Sequence, residues 1–222
     1  MRYRLAIFDM DGTILDTIQD LTDALNHTLR AHGYPQHSVS EVMFMVGNGI
    51  HKLIERAVPE GTKKEELEQV FEDYLPYYEE HCADATKPYQ GIVPAILRLR
   101  ELGIMTAVVS NKKDSAVQEL CEIYFKGCFQ AAVGERDGVK RKPAPDSVNE
   151  VLKTLGIRKE EAVYIGDSDV DLQTAENAGM DVIAVTWGFR SKQFLKEHGA
   201  RVFADTPEDL VALIRTDAHG FV

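Results

Sequence analysis

Five short runs of the chain are almost continuously apolar: Leu5-Ala6-Ile7-Phe8, Ile104 to Val109, Ala131-Ala132-Val133, Ala162 to Ile165 and Val182 to Val185. A strand with one wet face alternates apolar and polar residues, so runs without alternation predict strands buried on both faces, as in parallel sheets. Between the runs, apolar residues recur with helical spacing. Ile96, Leu97 and Leu99 precede Gly103; Val117, Leu120, Cys121 and Tyr124 form a second set; Val148, Val151, Leu152 and Leu155 precede Gly156; Ala175 and Ala178 precede Gly179. Three of these four helices stop at a glycine, which can take the left-handed conformation that closes a helix. Strand and helix in alternation predict an α/β fold with a doubly wound, mostly parallel sheet.

One stretch breaks the alternation. From Thr17 to about Thr86 the spacing is helical (Ile18, Leu21, Leu25, Leu29) and no run reads as a strand. The expected organisation is therefore a catalytic core of residues 1–15 and 87–222, interrupted by a helical insertion over 16–86. Within the insertion, Lys63 to Glu68 and Glu79-Glu80 read as solvated helix faces. The residues from Arg215 to Val222 show little periodicity and are expected to fray.

Composition narrows the partners. The 222 residues carry a formal net charge of -11, which argues against general affinity for nucleic acid or anionic membrane surfaces. A phosphorylated small molecule stays compatible, because a metal and one or two cations can dominate a local site in an acidic protein. Cys82, Cys121 and Cys128 are odd in number and form no CxxC pair, as expected of reduced, buried thiols. No apolar run is long enough to span a bilayer, and Met1 to Asp11 lacks the length and flanks of a signal peptide, so a cytoplasmic location is expected. The sequence leaves the oligomeric state open.

Four segments carry chemistry. Asp9-Met10-Asp11-Gly12-Thr13 directly follows the first apolar run, placing two carboxylates at the carboxyl end of a parallel strand, where open α/β sheets bind ligands. Carboxylates two residues apart in extended chain share a face and require a cation or a shared proton; a turn or a Ca²⁺-loop fragment is the alternative. Ser110-Asn111 follows the second run, where a hydroxyl and backbone N–H groups suit phosphoryl oxygens, or simply cap a helix. Lys142 precedes Pro143, which biases it to an extended backbone; a solvated basic turn is the other reading. Gly166-Asp167-Ser168-Asp169-Val170-Asp171 follows the fourth run and offers carboxylates beside the first pair, although acidic helix N-termini are common.

Taken in order, D-x-D-G-T, S-N, K-P and G-D-S-x-x-D resemble the motifs of the haloacid dehalogenase superfamily of phosphotransferases over nearly the whole chain. That resemblance implies a Rossmann-like core and a small α-helical cap. Val46-Gly47-Asn48-Gly49 with Leu53, Glu55 and Arg56 is similar to the cap of phosphoglycolate phosphatases, as are Tyr89-Gln90-Gly91, Lys142 to Asp146 and Ala175 to Gly179. Related pyrophosphatases and sugar-phosphate phosphatases share these segments, and a fold does not choose among substrates.

The resemblance also implies roles. Asp9 is the nucleophile that forms an aspartyl-phosphate, and Asp11 is the general acid and base. Mg²⁺ is bound by Asp9, Asp167 and the backbone of Asp11, with Asp171 steadying its shell. Ser110, Asn111 and Lys142 neutralise phosphoryl oxygens, and Gly47, Asn48 and Gly49 are specificity candidates. Thr13 and Asp16 are expected to shape the hinge rather than the chemistry. A β-phosphoglucomutase-like phosphomutase would use the same intermediate. Its last motif is of the Glu-Asp-Ser type, unlike Gly166-Asp167-Ser168, and the helix after Asp16 lacks the histidine expected near its start.

Overall fold

The computed structural model describes residues 2–215. In chain order the elements are β1 (Leu5–Phe8), β2 (Leu15–Asp16), α1 (Ile18–Ala31), α2 (Val39–Met45), α3 (Ile50–Ala57), α4 (Lys64–His81), β3 (Lys87–Pro88), α5 (Ile92–Glu101), β4 (Met105–Lys113), α6 (Asp114–Tyr124), β5 (Ala131–Glu135), α7 (Asp146–Leu155), β6 (Ala162–Gly166), α8 (Asp169–Ala178), β7 (Asp181–Val185), α9 (Lys192–Glu197), β8 (Phe203–Ala204) and α10 (Pro207–Arg215). They divide into two compact units: Asp16–Lys87, and the residues on either side of it.

The larger unit is built on a six-stranded sheet in the order β5-β4-β1-β6-β7-β8, with every pairing parallel. The expected doubly wound α/β core is present. From β1 the chain steps outward through β4 and β5, then returns to β6 on the other side of β1 and steps outward again. The reversal occurs at β1, so the carboxyl ends of β1, β4 and β6 frame the crevice where such sheets bind ligands. Register fixes their heights, since Phe8 lies opposite Val108 on one side and Ile165 on the other.

The absence of alternation in the strands has its cause in burial on both faces. Leu5, Ile7, Ala107, Val109 and Tyr164 pack with Val148, Val151 and Leu152 of α7 and with Ala175 and Ala178 of α8. Ala6, Phe8, Val108, Val163 and Ile165, which alternate with these strand residues, are also fully buried. Leu172, Ala184, Leu195 and Ala200 form a second cluster. Each fully buried Val or Leu contributes about 1.5–3 kcal/mol. Gly156 and Gly179 close α7 and α8 in left-handed conformations, as the pattern predicts.

Four details differ from the sequence reading. Strand β4 runs on to Lys113, so Ser110 and Asn111 lie inside a strand and do not cap α6. Leu97 is 45% exposed, and α5 instead buries Ile92, Ala95, Ile96 and Leu99. The elements α9, β8 and α10 were not anticipated, because β8 has two residues and α9 buries only Leu195. Arg215 ends α10 rather than beginning a frayed tail, and the rest of that expected tail lies outside the described residues.

The smaller unit is helical. One face of α1 buries Leu21, Ala24, Leu25, Thr28 and Leu29, and α1 packs against α4, which buries Val70, Tyr74 and Tyr78. Asp20, 3% exposed, ties the unit's two ends together: its carboxylate accepts from Ala85 N–H at 2.8 and 3.1 Å and from Thr86 N–H at 2.8 Å. Replacing Asp20 with Ala leaves both amide donors, of which Thr86 N–H is buried, without their anionic acceptor. It should cost about 3 kcal/mol and raise hydrogen exchange at Ala85 and Thr86. Unchanged exchange at both amides would mean that Asp20 does not anchor the return of the chain.

Candidate active site

The DxDGT segment folds around one carbonyl. Met10 C=O accepts from the N–H groups of Thr13, Ile14 and Leu15, which turns the chain sharply after β1 and leaves Asp9 at the strand's end. Gly12 makes the turn possible. Its φ of 83° is in the left-handed region, and a Cβ there would overlap the Asp167 carboxylate.

Asp9, Asp167 and Asp171 come together at the carboxyl edge. All three are buried, and one carboxylate oxygen from each lies within 4.8 Å of the others. Lys142 reaches into this group, its Nζ 2.8 Å from both Asp9 Oδ1 and Asp171 Oδ1 and 3.0 Å from the Tyr164 hydroxyl. Asn111 holds the lysine's main chain from both sides: its side-chain amide donates to Lys142 C=O, and its Oδ1 accepts from Lys142 N–H. The Lys142–Pro143 peptide bond is cis.

The three carboxylates are held differently. Both donors that reach Asp9, Met10 N–H at 2.7 Å and Lys142, bind Oδ1. Asp167 accepts from the Thr13 hydroxyl at 3.0 Å and from Phe189 N–H at 2.7 Å. Asp171 is saturated, with Lys142 on Oδ1 and the Ser168 hydroxyl, Ser168 N–H and Asp167 N–H on Oδ2. Ser168 and Asp171 also cap α8 reciprocally, which couples the start of that helix to the site.

Charge is unbalanced. Burial, reinforced by Asp171, pushes the Asp9 carboxyl well above the ordinary carboxylate range, against the pull of Lys142. Burial and Asp171 raise Asp167 to about 7, although Phe189 N–H, Thr13 and Arg190 oppose the shift. Burial alone would discharge Lys142, but Asp171 and Asp9 outweigh it and hold the ammonium charged. Three buried carboxylates facing one buried ammonium lack positive charge, and hard all-oxygen donors fit a divalent ion such as Mg²⁺. Asp11, expected at the metal through its backbone, has its carboxylate outside this three-carboxylate group and next to Lys112, 3.0 Å from its Nζ.

Ser110 is buried beside Asn111, and its Oγ accepts from Lys112 N–H at 3.2 Å. Gly47, Asn48 and Gly49 lie in the helical unit between α2 and α3, where Arg56 donates to Met45 C=O at 2.6 Å and to Asn48 Oδ1 at 2.7 Å. Several contributors escaped the sequence reading. Thr13, expected to shape the hinge, also supports the site: it is fully buried and its hydroxyl donates to Asp167. Lys112 would have been flagged by extending β4, which carries it past Ser110 and Asn111 in a buried stretch. Gly188, after β7, carried no signal, yet a Cβ there would overlap both Asp167 and the Gly12 carbonyl.

This chain belongs to the haloacid dehalogenase-like hydrolases, whose family model matches residues 6–185. Within that family it is similar to enzymes named as phosphatases. Rhodobacter capsulatus phosphoglycolate phosphatase is 34% identical over 191 residues, covering 83% of this chain and 84% of that protein. Pseudomonas aeruginosa N-acetylmuramic acid 6-phosphate phosphatase is 28% identical, covering 96% of each. A Lactobacillus delbrueckii subsp. bulgaricus structure, provisionally assigned as a phosphoglycolate phosphatase, matches with a TM-score of 0.93 at 43% identity over 96% of this chain and 99% of that one. Among the described residues, no helix is long and apolar enough to cross a membrane.

Asp167 gives the site a pH signature. Folding raises its pKa from 3.8 to about 7, so between those values the folded chain holds a proton that the unfolded chain has released. The resulting stability is full below about pH 4 and is lost as pH rises through about 7; Asp9 acts in the same direction. In a chelator, the melting temperature of the wild type should therefore fall across this interval relative to Asp167→Asn. Parallel curves for the two proteins would contradict the assignment.

Proposed function

We propose that this enzyme is a Mg²⁺-dependent phosphatase that hydrolyses phosphomonoesters of small metabolites through an aspartyl-phosphate on Asp9, with 2-phosphoglycolate the leading substrate. The observation that carries the reading is the Asp9 carboxylate, with Oδ1 bound by Lys142 and Met10 N–H and Oδ2 left to meet phosphorus. Burial alone favours the protonated form of Asp9; with a divalent cation beside it the group would be ionised, and a carboxylate nucleophile then needs no deprotonating base. Its obstacle is the negative charge of the ester. Asp9 and Asp167 would hold the Mg²⁺ ion, whose charge offsets that repulsion, and the saturated hydrogen bonding of Asp171 suits a group behind the ligands.

Asp9 attacks in line as the ester P–O bond breaks, and Asp11 gives its proton to the departing oxygen. A water then attacks phosphorus, Asp11 takes the water's proton, and Asp9 leaves as a carboxylate. Lys142, Ser110 and the Asn111 main chain stabilise the transferring group, and Asn111 keeps the lysine aimed. Substrate choice is assigned to the helical unit's Gly47-Asn48-Gly49 loop, whose shape Arg56 maintains. A sugar phosphate is the second reading, supported by the N-acetylmuramic acid 6-phosphate phosphatase relative.

A screen of 2-phosphoglycolate, hexose phosphates, nucleoside monophosphates and pyrophosphate, with and without Mg²⁺, tests the function. One phosphomonoester should lead in kcat/KM and turnover should vanish in chelator, without need of a sugar co-substrate. Turnover that requires such a co-substrate would make the enzyme a phosphomutase. Asn48→Ala should reorder alkyl substrates while changing p-nitrophenyl phosphate hydrolysis little. A uniform loss would remove the loop from specificity.

A further inference from the structure

Lys112 is a second buried lysine at the site, distinct from Lys142. Its side chain is 2% exposed, that of Asp11 is 24% exposed, and Lys112 Nζ lies 3.0 Å from Asp11 Oδ1. It is carried there because β4 continues past Val109 with an irregularity in its pairing to β5, where Ser110, Asn111 and Lys112 are buried in succession. Asp11 Oδ1 is itself buried and receives no hydrogen bond of good geometry, so the ammonium faces it as a charge rather than as an aligned donor. One Asp11 oxygen is thus committed to a buried cation, and Oδ2 is the one left for a ligand.

We propose that Lys112 is a positioning residue for proton transfer: its buried ammonium pins Asp11 Oδ1, so that Oδ2 is the oxygen turned toward the leaving group. This rests on the reading of Asp11 as acid and base. As the ester P–O bond breaks, the Oδ2 proton passes to the departing oxygen and leaves a carboxylate whose Oδ1 still faces the ammonium. In the second half, the water oxygen bonds to phosphorus, its proton goes to Oδ2, and the Asp9–phosphorus bond breaks. Burying an ammonium beside a carboxylate is a poor route to stability, because apolar residues of similar volume serve as well or better. Orientation of Asp11 is what an apolar residue would not supply.

The test is the single-turnover rate of phosphoryl transfer to Asp9 from the preferred alkyl phosphate and from p-nitrophenyl phosphate, whose leaving group needs no proton. Lys112→Met should lose roughly tenfold with the alkyl ester and little with the aryl ester, a part of what a positioned acid contributes. Lys112→Arg should recover most of the loss, and in an Asp11→Asn background Lys112→Met should add none. Lys112→Gln carries the same comparison if the Met variant melts below the assay temperature. Equal losses for the two esters, or an undiminished loss in the Asp11→Asn background, would overturn the role of Lys112. Asp11→Asn alone separates the two claims: if it harms both esters equally, the acid reading fails and the role of Lys112 with it.

Discussion

The site depends on one buried ammonium held between two carboxylates. Lys142 touches Asp9 and Asp171 at 2.8 Å each, in a place where desolvating each ion costs several kcal/mol. Such a group is tolerable only if every partner is fixed. Tyr164 and Asp171 receive the ammonium, Asn111 clasps its main chain, and Ser168 with two backbone N–H groups satisfies the far oxygen of Asp171. Lys142, Asp9 and helix α8 therefore form one hydrogen-bonded unit. Asp167 is a third buried carboxyl beside this unit, its pKa raised to about 7 by burial and by Asp171, and the crowding of three carboxyls around one ammonium is the physical basis for assigning a cation to the site.

The same constraint dictates backbone. Asp167 is enclosed by the Gly12 turn on one side and by the Trp187–Phe189 segment on the other, with Trp187 Nε1 donating to Thr13 C=O at 3.0 Å. Two glycines, 12 and 188, are required because a Cβ at either would occupy the carboxylate's space. Chemistry is thereby concentrated on strand ends that parallel pairing holds in register, and the loop proposed for specificity belongs to the helical unit. Strand ends are stiff and loops tolerate change, so this partition lets one mechanism be retained while substrates vary.

Much of this was legible in the chain. Nonalternating apolar runs disclosed the parallel sheet because burial on both faces acts on every residue of a strand. Asp9 and Asp167 could be nominated because each directly follows a strand, Asp171 because it opens the helix after β6, and Lys142 because it precedes Pro143 in the loop before α7. What escaped notice was decided by tertiary packing. Leu97 fits an apolar helical stripe but faces outward; α9 and β8 are too short to show a period; Thr13 is locally indistinguishable from a hinge residue. Lys112 drew no notice because β4 was expected to end at Val109, four residues before its actual end. Gly188 contacts a residue 21 positions away, and no local pattern encodes that approach.

The central claim is that Asp9 becomes covalently phosphorylated. Rapid acid quench during turnover of the best substrate, followed by peptide mass analysis, measures it directly. The account predicts an acid-stable, base-labile phosphoryl group on Asp9 that forms and decays as fast as turnover requires. Phosphate on another residue, or single-turnover hydrolysis with no phosphorylated enzyme at any time, would contradict it.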